Sequence, residues 1–429
     1  MQIFKFGGAS VNSAAAVKNM ASILNAYNSD SLVVVVSAMG KTTNSLEQLI
    51  PGVCPLEQRI ERFAALKSYH YKIAHELITD NDAPLFSTLD TLFNQLETRI
   101  TLPPTTYNFD YDQTVCFGEL ISTTIICHYL NTIGYQSEWV DVRQLIITDS
   151  NYREGHVDWK NTLANVKLFV KHTQTKSSQV FVTQGFIAGT QEGTTTTLGR
   201  EGSDYSAAIL SYCFDAKEMT IWKDVPGFLN ADPKFFNNTI KIKHIPYNEA
   251  IELAYYGASV IHPKTVKPLQ NKNIQLHIRS FITPQASGSV VGPFSQIEPE
   301  TPLYIFKNHQ VLLSIRPKDF SFIAEDNLQI IFGYFAQVGI RINVMQNSAL
   351  SFSVCVDENK ILLEQLLTLL QQDFSVSYNN NLQLITIRYY TQQIIDTIVA
   401  GRPVLLEQRS RTTEQLVVSE PCSGQSDLS

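Results

Sequence analysis

Hydrophobic and polar positions along the chain switch repeatedly between a strand-like and a helix-like period. Gln2 to Phe6 reads as a strand, Ser13 to Tyr27 as an amphipathic helix opened by Asn12 or Ser13, and Leu32 to Ser37 as a short, buried strand. This alternation predicts an α/β fold, a sheet with helices on both faces. From about Pro55 to Leu96 apolar residues fall three or four apart and predict helices; after the Pro103-Pro104 break, Val115 to Leu130 predicts another, stopped by Gly134. The α/β alternation then resumes. Strands are expected at Trp139-Val140, Val180 to Ile187, Met219 to Lys223 and Ile274 to Ile278. Helices are expected at Thr162 to Val170, Tyr205 to Phe214, Tyr247 to Tyr256, and from Pro263 onward.

Between Thr283 and Pro302 the pattern loses its periodicity and the composition turns to Pro, Gly, Ser and Glu, as in a linker. Beyond it the order is strand (Val311 to Ile315), helix (Asp326 to Val338), strand (Arg341 to Gln346), strand (Ser351 to Val356), helix (Ile361 to Gln371), strand (Leu384 to Arg388). That βαββαβ order is a ferredoxin-like unit. A second, truncated unit is expected over 384–420, ending before its last helix, with a polar, disordered tail at 421–429. The resulting division is 1–285, a linker at 286–302, a first ferredoxin-like unit at 303–390, and the second after it.

Composition narrows the function classes. Lys plus Arg number 33 against 40 Asp plus Glu, a net charge of −7 without basic runs, which is poor material for binding nucleic acid. No apolar stretch approaches the ~18 residues of a membrane span. The six cysteines are scattered without C-x-x-C spacing, so reduced thiols and a cytoplasmic setting are expected.

Three stretches carry candidate chemistry. Lys5-Phe6-Gly7-Gly8-Ala9-Ser10 ends a strand in two glycines, a way to bring backbone N–H groups and one ammonium onto a phosphate chain, although Gly7-Gly8 also suits a plain turn. In Gly199-Arg200-Glu201-Gly202-Ser203-Asp204 a Gly/Thr-rich loop runs into a helix N-terminus, where unpaired N–H groups favour an anion and a guanidinium can hold a carboxylate at two points. Trp222-Lys223-Asp224-Val225-Pro226-Gly227 places a strand end before a turn, where α/β sheets present ligands. Other signatures fail. Gly40-Lys41-Thr42 lacks the upstream glycine of a P-loop, no G-x-G occurs, and no histidine forms H-E-x-x-H, so a protein-held metal is not expected.

Together with Phe117-Gly118-Glu119 and Tyr256-Gly257-Ala258-Ser259-Val260-Ile261-His262-Pro263, these stretches resemble the aspartate kinase family across essentially the whole chain. The resemblance implies an amino-acid-kinase (acetylglutamate-kinase-like) αβα sandwich followed by ferredoxin-like ACT regulatory domains. It implies phosphoryl transfer from ATP with Mg2+, the metal held mainly by the nucleotide, to the side-chain carboxylate of L-aspartate, the first step toward lysine, threonine and methionine. By motif position, Lys5 and Asp204 would be catalytic, with Lys5 on the transferring group. Ser37, Thr43, Glu119, Arg200 and Ser203 would hold aspartate. Gly7, Gly8, Lys223, Asp224, Leu229, Lys234 and Ser259 would join Lys5 at the nucleotide. Asp326, Asn343, Gln346, Asn347 and Ser348 would form an effector site for lysine or threonine, in a homodimer or homotetramer. Three positions depart from the family, which usually shows Gly at 201, Thr at 223 and Lys at 259. The last change removes a cation expected near the phosphates, for which Lys223 and Lys264 are the candidate replacements. A catalytically silent amino-acid sensor on the same fold, or a related kinase using glutamate, stays open.

Overall fold

Leu32–Val36 is buried at every position, as is Val180–Gln184, which a strand requires when both faces of its sheet are covered. The computed structural model describes residues 1–27, 31–80, 82–173, 180–258, 260–319 and 321–420. Contacts divide the chain into one unit comprising Met1–Phe228, Ile242–Ile251 and Val260–Ile297, and another comprising Leu229–Lys241, Glu252–Ser259 and Glu298–Ser429.

The first unit is built on an eight-stranded sheet. Its spatial order is His244–Pro246, Ser289–Gly292, Gln275–Ser280, Glu218–Lys223, Gln2–Phe6, Leu32–Val36, Val180–Gln184 and Ser137–Val140. The six strands from Gln275–Ser280 to Ser137–Val140 are parallel; Ser289–Gly292 runs antiparallel to Gln275–Ser280, with His244–Pro246 parallel to it. Side chains of Gln2–Phe6 alternate between the two faces. On one face Phe4 and Phe6 pack on Trp222, and Phe4 also meets Tyr27, just beyond the helix Ala14–Ala26. On the other, Lys5 meets Asp204 of the helix Gly202–Cys213. Helices therefore cover opposite faces of one strand, the αβα layering. Gln2–Phe6 is also where the chain order turns back, with Leu32–Val36 on one side and Glu218–Lys223 on the other, the place where an open parallel sheet leaves a crevice for ligand.

Several elements differ from the sequence expectation. The segment 286–302 is not all linker, because Ser289–Gly292 joins the main sheet, its Ser289 Oγ donating to the Ile242 carbonyl at 2.5 Å. The strand expected over Val180 to Ile187 breaks at Gly185-Phe186: a Cβ at Gly185 would stand 2.6 Å from that of Ser203, and Phe186 is left-handed at φ +69°. After the break, Ile187–Thr190 and Thr195–Thr197 pair as a hairpin where a Gly/Thr-rich loop is expected. Tyr107–Val115 forms a separate helix before Phe117–Thr132. Ser13, rather than Asn12, caps the first long helix, its Oγ accepting the Ala16 N–H.

In the second unit the fifteen-residue strand Leu303–Pro317 runs through two cores. Its later half, Gln310 to Pro317, pairs with Phe352–Asp357 and with Phe374 to Leu382, and the helices Glu325–Val338 and Lys360–Asp373 complete a βαββαβ unit around Val311, Leu313, Ile315, Ile331, Phe335 and Leu366. Its earlier half, Leu303 to Lys307, pairs with Leu384 to Arg388, and these strands share a second core with the helix Gln392–Val399 and the strand Thr413–Ser419. The two ferredoxin-like units are nested rather than consecutive, one lying between the first two strands of the other. At the junction the register slips, and both His309 and Asn381 are left-handed, each at φ +55°. All six strands form one sheet, ordered Ile342–Asn347, Phe352–Asp357, Leu303–Pro317, Phe374–Arg388, Thr413–Ser419, Val404–Arg409. The tail 421–429 lies outside the described residues. Among those described, no helix is long and apolar enough to cross a membrane.

Candidate functional site

At the carboxyl ends of the central strands lies a cavity of about 940 Å3, lined by Lys5, Gly8, Ser37, Thr43, Glu119, Arg200 and Ser203 among others. Lys5 projects from Gln2–Phe6, its Nζ 2.5 Å from Asp204 Oδ1, and Lys223 Nζ, at the end of the neighbouring strand, lies 3.2 Å from Asp204 Oδ2. Lys223 also donates to the Val260 carbonyl at 2.7 Å and faces Glu201 Oε2 at 4.0 Å. Burial pushes the Asp204 carboxyl up, but Lys5 and Lys223 outweigh it and hold the group below its ordinary value, ionised between two ammoniums. Gly8 is needed at the adjoining turn, since a Cβ there would stand 2.7 Å from the Ala38 carbonyl oxygen and 2.9 Å from that of Gly40.

Glu119 enters from the first turn of Phe117–Thr132 and is 2% exposed. Its Oε1 accepts the Ala38 N–H at 3.1 Å, while Oε2 is buried and accepts no hydrogen bond. Burial raises its pKa to about 8, against the Ala38 N–H, which lowers it. A buried carboxyl group with a free oxygen on a cavity wall is a receptor for a cation, whose arrival favours the ionised form. Nearby, Ser122 Oγ donates to the Ser37 carbonyl at 2.8 Å, fixing the backbone after Leu32–Val36. Arg200 is solvent-accessible between Gly199 at φ +75° and Glu201 at φ +54°.

The wall also contains residues that the motif reading passed over: Asn108, Tyr111, Asn151 and Arg153. The Arg153 guanidinium lies 4.5 Å from the Tyr111 ring centroid and 5.3 Å from that of Tyr107. Arg153 is left-handed at φ +73°, and its N–H donates to buried Asp112 Oδ2 at 2.8 Å. Asp112 also accepts the Thr197 N–H and hydroxyl; burial raises its pKa to about 6, those hydrogen bonds opposing the rise. It ties the loop, the hairpin and the helix Tyr107–Val115 into one wall. The available signal was the tyrosine pair at i, i+4 before a polar Asn-Tyr-Arg-Glu turn.

Other expected site residues stand apart from the cavity wall. Gly7 precedes a single 3-10 turn, Gly8–Val11, rather than the long helix, and a Cβ on it would reach Lys5 Nζ at 3.5 Å. Asp224 is exposed. Leu229 and Lys234 fall in the segment grouped with the second unit, where Lys234 is exposed and its N–H bonds Asp232 Oδ1 at 2.9 Å. Ser259 lies outside the described residues. Of the two candidate replacements for a lysine there, Lys223 is the one beside Asp204; Lys264 is exposed on the first turn of Pro263–Asn271. In the second unit, Asp326 is exposed and Ala324 holds the cap position. Asn343 accepts from Lys307 and donates to Gln310 and Asp357, so its amide is used within the unit. Gln346 and Asn347 are exposed on a strand, and Ser348 bonds Ser351 across the hairpin.

Residues 1–280 match the Amino acid kinase family. The chain belongs to that family. Within it, the chain groups with the aspartokinases. It is 30% identical to lysine-sensitive aspartokinase 3 of Escherichia coli (strain K12) over 366 residues, 83% of this chain and 78% of that protein. It is 29% identical to aspartokinase 1, chloroplastic, of Arabidopsis thaliana over 376 residues, 85% of this chain; the match spans 65% of the plant protein's length. Crystal structures of E. coli aspartokinase III, one with lysine and aspartate (T-state) and one with aspartate and ADP (R-state), each align at a TM-score of 0.82 and 25% identity, covering 98% of this chain and 96% of theirs. The first unit is thus an amino acid kinase αβα sandwich, and the C-terminal antiparallel sheet is of the ACT kind.

Proposed function

We propose that this amino acid kinase is an aspartate kinase, transferring the γ-phosphoryl group of ATP to the side-chain carboxylate of L-aspartate to give 4-phospho-L-aspartate and ADP. The observation that carries the reading is one cavity combining a preset ammonium, Lys5 on Asp204, with a buried carboxylate oxygen of Glu119 that has no partner. The likeness to an aspartokinase crystallised with aspartate and ADP supports the same substrates.

The nucleophile needs no general base, since a carboxylate of pKa about 4 is already ionised at neutral pH. The site's work is positioning and charge neutralisation. Arg200 holds the α-carboxylate of aspartate and Glu119 its α-ammonium, with Ser37, Thr43 and Ser203 alongside. A side-chain oxygen then attacks the γ-phosphorus as the bond to the β-bridging oxygen breaks and its electron pair leaves with ADP. Lys5 neutralises charge on the transferring group, Asp204 keeps that ammonium aimed, and Lys223 with the Gly7-Gly8 turn faces the phosphates. Mg2+ carried by the nucleotide would offset the phosphate charge. We assign the C-terminal unit to regulation by lysine or threonine in a homodimer or larger assembly. The five described cysteines are free thiols, which supports a reducing, cytoplasmic setting.

An ADP-release assay across amino acids tests the reading. Turnover with aspartate and little with glutamate is expected. Equal use of glutamate would change the substrate, and no turnover with aspartate would leave a binding protein.

A further inference from the structure

Glu201 adopts a left-handed backbone, φ +54°, at the position that caps the helix Gly202–Cys213. Glycine takes this conformation freely and glutamate does not, and strain of this kind is found where ligands are handled. The usual use of an acidic side chain at a cap is to accept the helix's first N–H groups, yet Glu201 makes no such bond. Glu201 is instead one of the residues lining the cavity, and its Oε2 stands 4.0 Å from Lys223 Nζ. An ammonium has three N–H donors. Lys223 donates one of them to the Val260 carbonyl at 2.7 Å and forms an ion pair with Asp204 Oδ2 at 3.2 Å. The remaining partner, Glu201, stands too far for a hydrogen bond, so this contact is the weakest of the three.

We propose that Glu201 is a resident counter-anion for Lys223, displaced when a nucleotide phosphate takes its place. Lys5, Asp204, Lys223 and Glu201 alternate in charge and sum to zero, so within this group each ammonium has a carboxylate beside it. Asp204 is fully buried and keeps both lysines fixed, while the half-exposed Glu201 is free to swing aside. Glu201 then competes with ATP on entry and with ADP before release, and sets nucleotide affinity without touching the transferred group. The inference rests on the assignment of Lys5 and Lys223 to the phosphates.

The test is calorimetric binding of Mg-ADP to the full-length protein. Glu201→Gln removes the charge and keeps the strained backbone; Glu201→Gly removes both. Both are expected to bind ADP about two- to fivefold more tightly than the wild type, the size a half-exposed ion pair commands, and the gain should vanish near ~1 M salt. Only Glu201→Gly should also raise the melting temperature, which separates charge from strain. Unchanged ADP affinity in Glu201→Gln would overturn the proposal, and weaker affinity would make Glu201 a ligand of the nucleotide's metal instead. Lys223→Met separates this from the site assignment: at least ~10-fold weaker ADP binding is expected from losing a phosphate contact. Wild-type ADP affinity in both Lys223→Met and Lys5→Met would overturn the phosphate assignment, and the role of Glu201 with it.

Discussion

The ammonium of Lys5 lies 2.5 Å from the carboxylate of Asp204, and both side chains are shielded from water. A pair so arranged is set before substrate arrives, so reorganisation is not required at the moment of transfer. Lys5→Met is expected to lower kcat by at least ~10²-fold with aspartate binding largely kept, since one preorganised charge is worth about 3 kcal/mol at a transition state. Steady-state kinetics with a parallel melting curve checks this, and near-normal kcat would remove Lys5 from the transferring group.

Glu119 gives a pH dependence with a definite sign. Its pKa is raised from 4.5 to about 8, so between these values the empty folded enzyme holds a proton that the unfolded chain has lost. The associated stability is full below the lower value and disappears as pH rises through the higher one. The ammonium of aspartate favours the ionised carboxylate, so aspartate affinity should climb as pH approaches 8, with proton release at neutral pH. Titrations in two buffers of different ionisation enthalpy measure that proton, and its absence would mean Glu119 is already ionised. Glu119→Gln should bind more weakly and show a flat profile.

Arg200→Lys should chiefly raise the KM for aspartate, because a point charge cannot reproduce a two-point clamp on a carboxylate. An unchanged KM would assign the α-carboxylate to another group, with Arg153 on the same wall the first alternative.

Gly8→Ala is expected to destabilise the protein by about 1–3 kcal/mol, the cost of forcing a methyl group into a filled space. Both atoms in the way, the Ala38 and Gly40 carbonyl oxygens, are backbone and have no rotamer to change. A melting temperature equal to wild type would show that this turn can open.

In the C-terminal unit, stability and control should separate. Asn343→Ala strips partners from Lys307, Gln310 and Asp357 and should lower stability by about 1–3 kcal/mol. Gln346→Ala, at an exposed position, should leave melting unchanged and weaken inhibition by lysine or threonine. Inhibition of Gln346→Ala identical to wild type would take that residue out of the effector site.

Much of this architecture is legible in sequence because its signals are local. The run Leu32 to Val36, the cap at Ser13 and the glycines beside Lys5 each depend on near neighbours. What escaped depends on distant partners. Ser289–Gly292 resembles linker by composition and becomes a strand only because Gln275–Ser280 and His244–Pro246 offer it an edge on each side. Tyr107–Val115 carries a weak apolar pattern, and its contribution of Asn108 and Tyr111 to the cavity follows from Asp112 reaching Thr197. At Glu201 the sequence marks an unusual residue, whereas its φ and its lysine partner belong to three dimensions.

The two left-handed residues His309 and Asn381 mark where one ferredoxin-like unit departs from the other and returns. Lys307 already pairs with Leu384, so the ends of the inner unit leave from adjacent, hydrogen-bonded strands. Excision of the whole inner unit would therefore leave an opening that a tight hairpin can close. The regulatory region is built like a parenthesis closed onto its contents: Val344 and Cys355 of the inner unit share a core with Leu384, Leu406 and Val417 of the outer, so any replacement spliced in at this point must refill that seam.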